Sequence, residues 1–320
     1  MTIRIAGTGS YLPRTVVTND DLAKVMDTSD EWISSRTGIK ERHIAVDETT
    51  AEMAIEASKR ALFDAGLQAE ELDLIIVGTI TPDHVTPSVA CELQAALGAK
   101  KAVAFDINAA CSGFMFSLNT AYAYLKSGLY ENALVLGVET LSKIVDWEDR
   151  STCVLFGDGA GAAVVQRAEE GLFLFDQGSD GEKGGVLSCK NRATSNLLVK
   201  REEKTDFVHM DGQEVYCFAV STVPASIKQV MDKAGVSAED IDYFVLHQAN
   251  IRILQSVAKR LNASIDSFPI SLDHCGNISA ASVPILLDEM NRKGLLKRGD
   301  KLVMSGFGAG LTWGTALLTW

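Results

Sequence analysis

The chain has 320 residues, 47% hydrophobic and 22% charged, and carries a formal net charge of −12. That composition is globular, and the negative charge excludes general attraction to nucleic acid or an anionic membrane, so an acidic partner needs a local basic patch. The six cysteines form no CxxC pair and no His/Cys grouping at zinc-ligand spacing, and the N-terminal MTIRIAGTGSYLP lacks a signal-type apolar core; together these point to reduced thiols in the cytoplasm and to no metal site.

Apolar, β-rich runs predict strands at 2–6, 73–78, 102–107, 133–138, 162–166, 241–246, 302–305 and 314–319. Helical spacing predicts helices at 50–65, 88–97, 111–127, 219–234, 251–261 and 283–293. The alternation implies an α/β fold. KRALFDAGLQAEELDLIIVG from Lys59 is echoed by KQVMDKAGVSAEDIDYFVLH from Lys228, with Lys, Ala-Gly, Ala-Glu and Asp kept at a constant offset of 169. Each unit reads as helix, glycine stop, acidic turn and buried strand. Duplication follows, with halves at 1–170 and 171–320. The polar stretch 176–206 reads as an exposed excursion. Residues 302–320 carry no charge, but four glycines and several hydroxyls fit a buried sheet better than a membrane span.

Chemistry-bearing residues appear in chain order. Trp32 and Arg36, four apart in DTSDEWISSRTGIKERH, share a helix face that suits an adenine ring and its phosphates, with a solvated face anchored by a tryptophan as the competing reading. Cys111, in DINAACSGF, follows a strand and opens an uncharged helix; small neighbours leave its sulfur approachable, and the helix end favours a thiolate. His247, in DYFVLHQAN, stands at the carboxyl end of a strand, where ligands gather in α/β sheets. Asn277 lies in the small-residue loop HCGNISAASVP, where an ordinary turn asparagine is the competing reading. GFGAGLTWG at 306–314 exposes backbone N–H groups that suit an oxyanion. Neither a P-loop nor an intact GxGxxG fingerprint occurs.

DTSDEWISSRTGI, PSVACELQ, DINAACSGF, DRSTCVLFGDGAGA, HQANIRI, GNISAASVP and GFGAGLTWG together, in this order, resemble the β-ketoacyl-acyl carrier protein synthase III family, initiating condensing enzymes of the thiolase superfamily. The resemblance implies a thiolase-like fold, two βαβαβαββ halves in α/β/α/β/α layers. It implies Cys111 as the nucleophile that takes an acyl group from acyl-CoA, and His247 with Asn277 as the pair that promotes decarboxylation of malonyl-acyl carrier protein. The oxyanion would rest on the Cys111 N–H and a donor from the Phe307, Gly308, Ala309, Gly310 loop. Trp32, Arg36, Arg150, Gly212, Tyr216 and Asn250 match coenzyme A contacts. Arg252 and Lys259 match a patch that docks the acidic carrier protein. Thr86 matches a position near the acyl pocket that holds phenylalanine in some members, which leaves the primer open. A homodimer is implied, and acyl-CoA is a substrate, so no cofactor is expected. The rival readings are a related condensing enzyme of secondary metabolism, a Cys–His–Asn peptide hydrolase, and a non-catalytic acyl-CoA-binding protein of the same fold.

Overall fold

The computed structural model describes residues 1–201 and 206–320. Two sheets stack with helices between and outside them. In the first, the strands lie side by side in the order Thr2–Tyr11, Asp158–Ala168, Asn132–Thr140, Leu74–Gly78, Val103–Ile107. The first two junctions are antiparallel and the last two parallel. In the second, Tyr243–Leu246 runs parallel to Lys301–Gly308, which pairs antiparallel with Thr312–Thr319, and that strand pairs antiparallel with Phe173–Ser179.

Helices Gly113–Lys126 and Ser282–Arg292 form the layer between the sheets. Phe114, Leu118 and Leu125 of one, and Leu286, Leu287 and Met290 of the other, share a core with Ile76, Val135, Val245 and Met304 from both sheets. Burial from two sides explains why Gly113–Lys126 holds no charge before its last residue. Helices Thr50–Ala65 and Val89–Leu97 cover the outer face of the first sheet. Gly212–Ala234 and Ile251–Leu261 cover the outer face of the second. The result is the five-layered thiolase-like arrangement expected from the sequence. Among the described residues no helix is long and apolar enough to cross a membrane.

The internal echo has a backbone cause. Thr50–Ala65 and Gly212–Ala234 both stop at a glycine in the left-handed region, Gly66 at φ 64° and Gly235 at φ 68°. A one-turn 3₁₀ segment follows each, Ala69–Glu71 and Ala238–Asp240, and then a buried parallel strand. Among the described residues the second sheet has one strand fewer than the first. Where the first half has Val103–Ile107, the second runs past Phe268, whose ring stacks on Phe244 at 4.7 Å.

Two sequence expectations change. Residues 173–179 form an edge strand, so the excursion starts later than 176; from 189 to 201 the chain is exposed, and 202–205 lie outside the described residues. An edge strand pairs on one side only, and Asp176-Gln177-Gly178-Ser179 has turn-like composition that hides it. Helix 219–234 begins earlier, at Gly212, because the Asp211 carboxylate accepts the Gln213 and Glu214 N–H groups as its cap.

Candidate active site

Three chain turns deliver three side chains to one cavity of about 150 Å³, whose lining includes Cys111, His247 and Asn277. Cys111 leaves strand Val103–Ile107 through a tight turn, with Ala110 at φ 45°, and sits in the 3₁₀ segment just before helix Gly113–Lys126. His247 leaves strand Tyr243–Leu246, its N–H donating to the Ser305 carbonyl at 2.7 Å. Asn277 is fixed through its backbone to the segment beside Phe156: its N–H donates to Leu155 and its carbonyl accepts from Gly157.

The side chains are oriented as tightly as the backbone. The Ser279 N–H donates to Asn277 Oδ1 at 2.9 Å, which turns the Asn277 amide N–H₂ outward as the free donor. Ser282 Oγ lies 2.6 Å from His247 Nδ1 and 2.9 Å from the Ser279 carbonyl oxygen; with the hydroxyl proton given to Nδ1, the neutral histidine presents a protonated Nε2. Phe307 closes one side, its ring 5.2 Å from the imidazole. Ser279 holds φ 44° to make both contacts, backbone strain of the kind found at functional sites.

Electrostatics differ from the sequence expectation at the sulfur. Burial, reinforced by the Glu139 carboxylate, pushes the Cys111 thiol up to about 12, while a Ser279 hydrogen bond pulls the other way. The resting group is a thiol: desolvation outweighs the helix end. Burial pushes His247 down to about 3, so the imidazole is neutral. Glu139, fully buried, is pushed up to about 7 by desolvation.

The remaining sequence-predicted residues fall into two groups. Gly212, Tyr216 and Asn250 line the same cavity, as do Phe307 and Gly308. Gly308 lies hard against the nucleophile turn; a Cβ there would sit 2.9 Å from the Cys111 nitrogen and 3.1 Å from its sulfur. Ala309 and Gly310 continue the loop, with the Thr312 hydroxyl donating to the Ala309 carbonyl. Trp32 has the Arg36 guanidinium 4.7 Å and the Arg150 guanidinium 5.2 Å from its ring centre. The Asn250 amide donates to the Arg36 carbonyl, linking this cluster to the cavity. Arg252 and Lys259 are exposed seven residues apart on helix Ile251–Leu261, the Arg252 guanidinium also donating to the Ser35 carbonyl. Thr86 is exposed and absent from the cavity lining of this single chain.

Reasoning from sequence missed Glu139, Ser279 and Ser282. The signal was present for Glu139, a lone carboxylate ending the apolar strand Asn132–Thr140. It missed one more grouping: His274, Cys275 and Glu289 bring ligand-type atoms within 4.8 Å. Hydrogen bonds with Cys275 and Glu289 hold the His274 imidazole protonated, up at about 11.

The fold and this cysteine–histidine–asparagine cavity define a thiolase-fold condensing enzyme. Family models described as 3-oxoacyl-[acyl-carrier-protein] synthase III and its C-terminal part match residues 105–181 and 231–320. A β-ketoacyl-[acyl-carrier-protein] synthase III of Clostridium acetobutylicum is 52% identical over 99% of this chain and 98% of its own. The crystal structure of 3-oxoacyl-[acyl-carrier-protein] synthase III from Aquifex aeolicus superposes with a TM-score of 0.94 at 46% identity, covering 99% of this chain and 100% of that one. The priming β-ketosynthase of the R1128 polyketide pathway gives a TM-score of 0.92 at 37% identity, covering 99% and 96%. The chain belongs to the β-ketoacyl-acyl carrier protein synthase III family: it is an acyltransferase, an initiating condensing enzyme of fatty acid synthesis.

Proposed function

We propose that Cys111, His247 and Asn277 divide the reaction between two half-reactions in the one cavity they line. Cys111 Sγ bonds to the acyl carbon of acyl-CoA, the carbon–sulfur bond to coenzyme A breaks, and a thioester remains on the enzyme. Malonyl-acyl carrier protein then enters, and its carboxylate leaves as CO₂. His247 and the Asn277 amide hydrogen-bond the thioester oxygen as enolate charge develops there. The enolate carbon attacks the acyl group, Cys111 is expelled, and 3-ketoacyl-acyl carrier protein forms. The Cys111 N–H and the Phe307–Gly310 loop cradle the tetrahedral oxygen. The convergence of a buried thiol, a neutral imidazole and an amide whose N–H₂ faces outward carries this reading. A buried, water-poor cavity also protects the thioester from hydrolysis.

The substrate reading follows from the surroundings. Trp32, Arg36 and Arg150 take the adenine and phosphates of coenzyme A at the mouth, and Gly212, Tyr216 and Asn250 take its pantetheine arm. Arg252 and Lys259 receive the acidic carrier protein, supplying the local positive patch this acidic chain otherwise lacks.

The protein works as a cytoplasmic homodimer. The first sheet ends in the open edge Val103–Ile107, with Val103 47% exposed, and an open edge is a template for a second copy. The loop with Thr86 is tied to that edge, since the Asp106 carboxylate accepts the Val89 and Ala90 N–H groups. A paired copy would meet Thr86 there. Residues 1–170 and 171–320 are duplicated halves, one giving the nucleophile and the other His247 and Asn277.

Intact-protein mass spectrometry after incubation with a panel of acyl-CoAs tests the reading. One short acyl group adds per chain, and Cys111→Ser abolishes the addition. Undiminished condensation by Cys111→Ser would overturn it.

A further inference from the structure

We infer that Glu139 is the positioning residue of the decarboxylation pair: its carboxylate anchors Ser279, and Ser279 aims Asn277 and holds Ser282 against His247. The inference rests on His247 and Asn277 being that pair. The Ser279 hydroxyl donates to Glu139 Oε1 at 3.1 Å. The Ser279 N–H donates to Asn277 Oδ1 at 2.9 Å. The Ser279 carbonyl oxygen lies 2.9 Å from Ser282 Oγ, and that oxygen lies 2.6 Å from His247 Nδ1. One serine therefore stands behind both side chains that face the malonyl thioester, and Glu139 fixes where that serine sits.

Ser279 requires an anchor. It is a non-glycine residue at φ 44°, a conformation that persists only where the surroundings impose it. Strand Asn132–Thr140 supplies those surroundings. Residues two apart on a strand face the same side, and here Gly137 and Glu139 face the turn Ser279–Ala281. A Cβ on Gly137 would lie 2.1 Å from the Ala280 carbonyl oxygen, so the turn seats there because residue 137 has no side chain. Glu139 then ties the seated turn down.

The second carboxylate oxygen fixes Glu139 itself. Oε2 accepts from the Thr81 hydroxyl at 2.6 Å, the Ile80 N–H at 3.0 Å and the Thr79 hydroxyl at 3.3 Å. The Thr140 N–H donates to the Thr81 oxygen at 2.8 Å, which closes the arrangement. One side chain thus staples the exit of strand Leu74–Gly78, in the first half, to the Asn277 turn of the second. None of its hydrogen-bond partners is a cation, and an apolar side chain filling the same space would avoid the cost of burying the carboxylate. Cys111 sits on a different turn, held by the Ser112 hydroxyl to Ala109 and Thr312. Glu139 therefore serves the decarboxylation geometry more than the acyl transfer.

The test compares two single-turnover rates: acyl-enzyme formation from acetyl-CoA, followed by intact mass, and CO₂ release from malonyl-acyl carrier protein by the fully acylated enzyme. Ser279→Ala removes only the tether and keeps both backbone contacts. It lowers CO₂ release by about 10- to 100-fold, the scale for a reacting group displaced by up to about 1 Å, and lowers acyl-enzyme formation at least about tenfold less. The loss appears at saturating malonyl-acyl carrier protein and not in the half-saturating concentration, because the exposed helix face with Arg252 and Lys259 is untouched. Glu139→Ala gives the same pattern, and combining it with Ser279→Ala adds nothing further, since both break one link. Glu139→Gln recovers most of the Glu139→Ala loss: its oxygen serves Thr79, Ile80 and Thr81 while its amide N–H₂ donates to Ser279 Oγ. Ser279→Ala alone decides the matter if Glu139→Ala folds poorly. Parental CO₂ release by Ser279→Ala overturns the inference, as do equal losses in both half-reactions or additive losses in the double variant. His247→Ala and Asn277→Ala enzymes that release CO₂ at the parental rate would refute the site reading beneath it as well.

Discussion

Gly308→Ala isolates one close approach on which the cavity depends. Gly308 has an ordinary φ, so the substitution asks about space alone. The added Cβ would lie 2.9 Å from both the nitrogen and Cβ of Cys111 and 3.1 Å from its sulfur, against about 3.5–4.0 Å for carbon atoms at optimal separation. The nucleophile turn or the closing strand must therefore retreat by about 0.5 Å. Neither is free to: the Ser112 hydroxyl donates to Ala109 and lies 2.7 Å from Thr312 Oγ1 across the junction. Overpacking of this kind costs about 1–3 kcal/mol. Displacement approaching 1 Å costs about 10²-fold in rate, so a loss of at least about tenfold is expected in acyl-enzyme formation. Urea unfolding and single-turnover acylation read the two effects. Gly185→Ala, where the added Cβ meets nothing within 4 Å, serves as the neutral control. If Gly308→Ala matched that control in both assays, the claimed packing of strand Lys301–Gly308 against Cys111 would be wrong.

Glu139 also marks the pH dependence of stability. Its folded pKa stands above the ordinary 4.5, at about 7, so the ionised form is disfavoured in the fold. Its contribution to stability is fully present below 4.5 and is lost as pH rises through 7, by about 3 kcal/mol at about 1.4 kcal/mol per unit. Urea unfolding of the parent and of Glu139→Gln between pH 4.5 and 8 gives this as a difference, and parallel curves would refute it. Trp32→Ala removes the ring between Arg36 and Arg150 and raises KM for acyl-CoA several-fold, with kcat unchanged at saturation; steady-state kinetics in acyl-CoA checks this. Arg252→Glu weakens use of malonyl-acyl carrier protein but spares acyl-CoA loading, and unchanged carrier-protein kinetics would remove the docking assignment.

Local chemistry made much of this protein legible. Gly66 and Gly235 end equivalent helices because a left-handed residue is needed there, and the acidic turns and apolar strands that follow repeat with them. That periodicity is local, so sequence alone determined the α/β class and the placing of Cys111 and His247 after strands. The uncharged run after Cys111 announced a helix buried on most sides, and Gly113–Lys126 is packed between two sheets. The edge strand Phe173–Ser179 stayed hidden because its register is set by a partner more than a hundred residues away.

Burial and electrostatics were decided only by the tertiary structure. A helix start argued for a thiolate at Cys111, yet enclosure by Gly308, Phe307 and a buried carboxylate makes the resting group a thiol. Ser279 looked like one small residue among several; folded, it aims the Asn277 amide with its N–H, lies against Ser282 with its carbonyl and donates to Glu139 with its hydroxyl. Sequence fixes which ionisable groups exist and which element each one ends. Their protonation depends on water removed by segments distant in the chain, and that exclusion arises only when the two halves close on each other.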